Sequence, residues 1–187
     1  VGNTVVVEPV PFFAKLFHAL GITCKQQKWE DVKIAPRFFD VVLAAFVAAH
    51  FPRNQLGRLL KKMVGALRPE GELILMMVDA LEGTWREIHT LFYNAVGMER
   101  RRSSALVVRK IMRDMGAREE RIVTHVRART KKEIVDALAF DFLQYRRQFE
   151  KMRPLFYRYL SDKKRRGAYE LSVVINFYYY RKNGFKK

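Results

Sequence analysis

A single cysteine, Cys24, stands among 187 residues, so no disulfide can close within the chain and no multi-thiolate metal site is available. The four histidines, His18, His50, His89 and His125, share no metal-type spacing with one another or with carboxylates. No stretch of about eighteen apolar residues is free of charge, which excludes a membrane-spanning helix as a reading of the sequence. The opening Val1-Gly2-Asn3-Thr4 has no basic segment ahead of an apolar run, so a secretory signal is not expected there. A reducing, cytoplasmic setting fits the lone thiol. Acidic residues are the other scarcity. Only 19 Asp and Glu face 36 Lys and Arg, a net charge of +17 and a sequence pI of 10.2.

What remains is ample for a folded core. Hydrophobic residues make up 49% of the chain and aromatic residues 13%, outside the range of disordered sequences, and the length predicts one domain over residues 1–187. The basic excess favours polyanions as partners, RNA among them, or else a solvated surface with no specific ligand. It is concentrated in the second half, in Arg100-Arg101-Arg102, Arg127 to Lys132, Lys163 to Arg166 and Lys186-Lys187.

Apolar runs alternate with amphipathic stretches along the first half. Thr4-Val5-Val6-Val7 is a β-branched run that ends at Glu8-Pro9, and Pro11 suits the first residue of a helix through Leu20, stopped by Gly21. Ile22 to Lys25 predicts a second strand, and Phe39 to Phe46 a third, apolar on both faces from Val41 onward. Leu56 to Leu67 repeats apolar residues at helical spacing with Arg58, Lys61 and Lys62 opposite, and Pro69 and Gly71 turn the chain into a strand over Glu72 to Val78. Strand, helix and strand in alternation argue for a parallel sheet covered by helices.

The second half reads as helices over Thr84 to Val96 and Ser104 to Met115, then a strand over Arg121 to Arg127. Thr130-Lys131-Lys132-Glu133 has the spacing of a capping box. Gln144 to Leu160 is a basic aromatic helix, and Tyr169 to Tyr180 a long terminal strand. The aromatic residues of Gln144 to Leu160 suit either a buried face or stacking on RNA bases. Trp85, His89, Phe92 and Tyr93 suit either a core stripe or a substrate pocket.

The stretch Phe39-Asp40-Val41-Val42-Leu43, His50-Phe51, Leu56 to Ala66 and Leu67-Arg68-Pro69-Glu70-Gly71 resembles class I S-adenosylmethionine-dependent methyltransferases. It departs at Glu70, where the family usually has a glycine. The resemblance implies an α/β, Rossmann-like and mostly parallel sheet flanked by helices, with the terminal strand antiparallel. It implies S-adenosylmethionine as cofactor and methyl transfer to an acceptor, a small molecule or RNA.

Residue by residue, the resemblance makes Glu8 the acid that accepts from the ribose hydroxyls, a task suited to an acceptor-only carboxylate. Trp29, Glu30 and Asp31 fall where the family meets the adenine, and Ala45 and Phe46 end a strand facing the cofactor. His50 becomes a candidate catalytic or substrate-facing residue. The family's first strand and its glycine-rich loop have no counterpart in this sequence, and an upstream segment or a separate chain is expected to complete the sheet. The alternative is a non-catalytic methyltransferase-like subunit that binds RNA or a protein through the basic half.

Overall fold

In the computed structural model, which describes residues 4–48, 51–79, 81–97, 102–142 and 145–182, the strands begin where the β-branched run predicts. Strand β1 (Val5–Val7) pairs in parallel with β2 (Thr23–Lys25), Val6 opposite Cys24. Between them lies helix α1 (Pro11–Ala19), with Pro11 at its start, where a missing N–H costs no intrahelical bond. Gly21, at φ +73°, stops it.

The main sheet is built from β3 (Phe39–Ala45), β4 (Leu67–Val78), β7 (Ala168–Arg181) and β5 (Arg118–Ala128) in that spatial order, with the two-residue β6 (Lys164–Arg165) on β7. β3 and β4 are parallel and joined by α2 (Arg53–Ala66); β7 is antiparallel to both β4 and β5. This is the mixed Rossmann-like α/β architecture expected from the sequence, antiparallel terminal strand included.

The turn at Leu67 to Gly71 is part of β4, which begins earlier than the apolar run suggests. Phe39 pairs with Leu67 and Val41 already with Glu72, so the extra residues bulge out of the ladder. Glu70 sits there at φ +64°, in the left-handed region glycine prefers. At Gly71 a Cβ would come within 3.0 Å of the carbonyl oxygens of Arg68 and Asp40.

Two cores form on the sheet. On one face Val42, Ala44, Leu73, Leu75, Met77 and Tyr178 pack against Leu56, Leu60 and Met63 of α2 and Val108 and Met112 of α4 (Arg102–Asp114). The second core joins Ile88 and Phe92 of α3 (Thr84–Ala95), Ile134 and Leu138 of α5 (Lys131–Asp141), Phe149 and Phe156 of α6 (Arg146–Tyr159) and Leu171 of β7. Phe149 and Phe156 are thus buried, and the aromatic face of α6 belongs to the core. The same holds for Phe92, while Trp85 and Tyr93 pack at the rim. Thr130 Oγ1 accepts from Glu133 N at 3.2 Å, so the capping pattern is realised.

One expectation fails. β3 was expected to be covered on both faces, yet Val41 is 52% and Leu43 61% exposed. Their cross-strand neighbours continue the open face: Leu43 opposite Ile74, Ile74 opposite Tyr179, and Met76 opposite Phe177. No helix among the described residues lies over this end of the sheet. β3 also pairs only with β4, and β1 only with β2, so each has a free edge among the described residues.

Candidate active site

A parallel sheet presents its strand ends, with their unpaired backbone groups, at the carboxyl edge, and ligands gather there. β3 delivers Ala45 and Phe46 to that edge and β4 delivers Asp79, while Glu8 follows the carboxyl end of β1 in the separate β1–β2 pair.

Glu8 is half-buried. Its amide donates to the Lys25 carbonyl at 3.1 Å, which extends the β1–β2 ladder by one residue. Its Oε1 accepts from Val10 N at 2.7 Å. That bond holds the carboxylate against the turn before α1 and leaves Oε2 without a hydrogen bond among the described residues. A fixed carboxylate with one open oxygen can accept from a diol. Phe46 follows β3 at φ +59°, held by its amide to the Met76 carbonyl at 2.9 Å, with its ring partly exposed. Backbone strain of this kind in a non-glycine residue occurs preferentially at functional sites.

Trp29, Glu30 and Asp31 lie in the turn after β2. Lys62 of α2 donates to the carbonyl oxygens of Trp29 at 2.6 Å and Glu30 at 2.9 Å, and its Nζ stands 5.5 Å from the Trp29 ring centre. Trp29 is half-buried against the first core and its indole Nε1 has no partner among the described residues, whereas the Glu30 and Asp31 side chains are exposed. His50 lies outside the described residues, as do Arg100, Arg101, Lys186 and Lys187 of the basic clusters. Phe51 packs at the edge of the first core.

Asp79 was missed by sequence reasoning, although its pattern matches that of Glu8: an acid directly after an apolar strand. It is 6% exposed. Oδ1 accepts from Leu81 N at 2.6 Å and Glu82 N at 3.0 Å, and Oδ2 from Asn176 Nδ2 at 2.6 Å. Burial pushes this carboxyl up, but the bonds from Leu81, Asn176 and Glu82, with the Arg109 charge, outweigh it and hold the group below its ordinary range. Asp79 is therefore an anion that shapes the loop after β4. A narrow recess beside it is lined by Arg109, Asn176 and Tyr178.

Two further histidines, His89 and His125, are tied to carboxylates. His89 Nε2 lies 3.0 Å from Asp141 Oδ2, an oxygen that also accepts from Trp85 Nε1 at 3.2 Å, and His125 Nε2 lies 3.2 Å from Glu170. No cluster of three or more metal-type side chains occurs among the described residues.

The residues present fit the ribose end of a nucleoside cofactor, through Glu8. No glycine-rich turn for the amino-acid end occurs at this edge among the described residues.

Residues 4–75 match the methyltransferase domain family, a stretch that runs from β1 through most of β4. No curated protein matches the sequence. Among solved structures, a proposed methyltransferase of Bacillus halodurans is 20% identical, with 95% of this chain and 82% of that one covered and a TM-score of 0.57. A proposed type II methyltransferase of Anaeromyxobacter dehalogenans is 15% identical over 95% of this chain and 79% of its own, with a TM-score of 0.59. A phosphoethanolamine N-methyltransferase 2 of Haemonchus contortus, in complex with phosphomonomethylethanolamine and S-adenosylhomocysteine, is 15% identical over 96% of this chain and 43% of its own, with a TM-score of 0.52. The chain has the Rossmann-like fold of class I methyltransferases.

Proposed function

We propose that this protein transfers a methyl group from S-adenosylmethionine to a nucleophilic atom of an acceptor, a small molecule or RNA. The observation that carries the reading is the methyltransferase-domain match over residues 4–75, which contains Glu8 at the end of β1 and Ala45 and Phe46 at the end of β3. Glu8 would hold the ribose hydroxyls through its open oxygen. Trp29, Glu30 and Asp31 would border the adenine, and Ala45 and Phe46 would wall the cofactor from the β3 side. Bound there, the cofactor supplies an electrophilic methyl on a sulfonium. Displacement at such a carbon depends mainly on distance and angle, so the protein's task is to orient two reactants and exclude water. His50 would face the acceptor. Asp79 would act indirectly, by fixing the loop that begins at Leu81.

The free edges of β1 and β3 support a second element of the proposal. An extended segment running parallel to both would satisfy their unpaired backbone groups, and a helix attached to it would cover Leu43, Ile74 and Met76. That segment comes from upstream residues or from a separate chain. It would also place a backbone turn at the carboxyl edge, where the amino-acid end of the cofactor needs N–H donors.

Calorimetric titration of the whole protein, with any residues that precede Val1, against S-adenosylhomocysteine and separately against NAD tests the reading. Saturable binding of the first alone supports it. Binding of neither favours a non-catalytic subunit with this fold, and binding of NAD alone would replace methyl transfer by dinucleotide chemistry.

A further inference from the structure

The exposed end of β5 and the β6–β7 hairpin enclose an open cleft of about 220 Å³, lined by Arg127, Arg165, Arg166, Ala168 and Glu170. Three guanidinium groups here face one carboxylate, and that carboxylate is already engaged. Glu170 accepts from Arg127 Nε at 2.7 Å and lies 3.2 Å from His125 Nε2. Arg165 and Arg166 form no ion pair among the described residues. Elsewhere many surface cations are matched, as in Arg109 with Glu119, Arg121 with Glu82 and Arg153 with Glu150 and Asp136. The cleft thus retains a net positive charge that the described residues do not cancel.

The backbone adds an independent sign. Arg166 sits at φ +48° and Gly167 at φ +82°, two successive left-handed residues between β6 and β7. A two-residue hairpin of this kind favours asparagine or aspartate before the glycine, because long side chains are strained there. An arginine in that place sacrifices local stability and puts a cation at the cleft. Rules of local preference are broken most often where a side chain has a task.

We propose that this cleft binds a phosphodiester group of single-stranded RNA through Arg165 and Arg166, with Arg127 positioned by Glu170 as the third cation. Guanidinium suits the task, since its planar fork meets two phosphate oxygens at once. The cleft lining contains no aromatic residue on which a base could stack, so the contact is with the backbone and is indifferent to sequence. A polymer is favoured over a small phosphate ester because basic residues flank the cleft-lining ones along the chain, Arg129 and Lys131 after Arg127 and Lys164 before Arg165, whereas Lys132 and Lys163 are matched by Asp136 and Glu87. Tyr169 does not offer a stacking platform, because Lys131 and Lys164 each cover its ring at 5.8 Å. The proposal is independent of methyl transfer and of the site around Glu8.

The test measures the affinity of the whole protein for a fluorescent oligouridylate across salt. Three proteins are compared: the parent, Arg165→Gln with Arg166→Asn, and Arg58→Gln with Lys61→Gln on the exposed side of α2. Asparagine tolerates the left-handed conformation, so the first variant should keep the parent's thermal stability. It should bind roughly tenfold or more weakly at about 50 mM salt, and the slope of log affinity against log salt should flatten by about 0.7, as for one lost phosphate contact on a single strand. The α2 variant should keep the parent's slope. Equal losses in both variants would mean diffuse attraction and would overturn the cleft. So would no RNA binding by the parent. If inorganic phosphate at low millimolar concentration displaces the RNA completely, the cleft serves a small phosphate and the polymer assignment is wrong.

Discussion

Asn176 on β7 donates its side-chain amide to Asp79 at the end of β4, at 2.6 Å, across the seam where the parallel part of the sheet meets the antiparallel part. Both residues are buried, and the bond ties the candidate active-site edge to the terminal strand. The Asp79 carboxylate accepts three hydrogen bonds among the described residues, two of them from the loop that opens towards α3.

This carboxyl is held below its ordinary range in the folded protein, so its stabilising effect has a definite direction with pH. The contribution is present above the unfolded value of about 3.9 and fades as the pH falls through the lower folded value. Asp79→Asn should be less stable than the parent by about 1–3 kcal/mol near neutral pH, the range for bonds to a buried charged group. The gap should narrow below about pH 4. Urea unfolding of both proteins over a pH series checks this; a constant gap would mean that the charge on Asp79 is not what matters.

Glu70 holds a left-handed conformation with no compensating buried contact, since its ion pair with Arg181, at 3.6 Å, is exposed. Glu70→Gly should raise stability by about 0.5–1 kcal/mol, the relief of the Cβ clash less the added chain entropy. The neighbouring Gly71→Ala should lower it by about 1–3 kcal/mol, because the new methyl meets two carbonyl oxygens. Opposite signs at adjacent positions, read from thermal midpoints, are the expected result.

The two faces of the sheet should respond differently to substitution. Leu75 is fully buried, and Leu75→Ala should cost about 2–5 kcal/mol. Leu43→Glu, on the open face of the neighbouring strand, should change the stability of the chain from Val1 to Lys187 by no more than about 0.5 kcal/mol. In an assembly completed by an additional strand and helix, the same Leu43→Glu change should block completion. A large loss in the chain alone would show that this face is covered within it.

Much of this fold was legible because its signals are local. The capping box needs only Thr130 and Glu133, three residues apart, and Thr130→Ala should cost about 1 kcal/mol by loss of the N-cap bond. The β3–α2–β4 unit is announced by apolar runs and by the Pro69-to-Gly71 turn, and Glu8 by its place after a valine run. What the sequence did not reveal depends on distant pairs or on what is absent from the surface. Asp79 and Asn176 are 97 residues apart, and nothing at either position marks it as half of a buried pair. The aromatic residues of α6 fit both burial and RNA stacking by spacing, and only the position of α3 and α5 decides for burial. The exposure of Leu43 could not be read from a strand apolar on both faces, because such a strand is what a fully covered sheet would use.

The central claim, a cofactor site organised by Glu8, is tested most directly by titrating S-adenosylhomocysteine into the whole protein and into its Glu8→Ala variant. The account predicts saturable binding to the parent, weakened by about 1.5–3 kcal/mol, or roughly ten- to more than a hundredfold, in the variant, with stability in the absence of ligand lowered by no more than the lost Val10 bond, about 0.5–1.5 kcal/mol. Equal affinities would remove Glu8 from the site, and no binding to the parent would contradict the methyl-transfer reading itself.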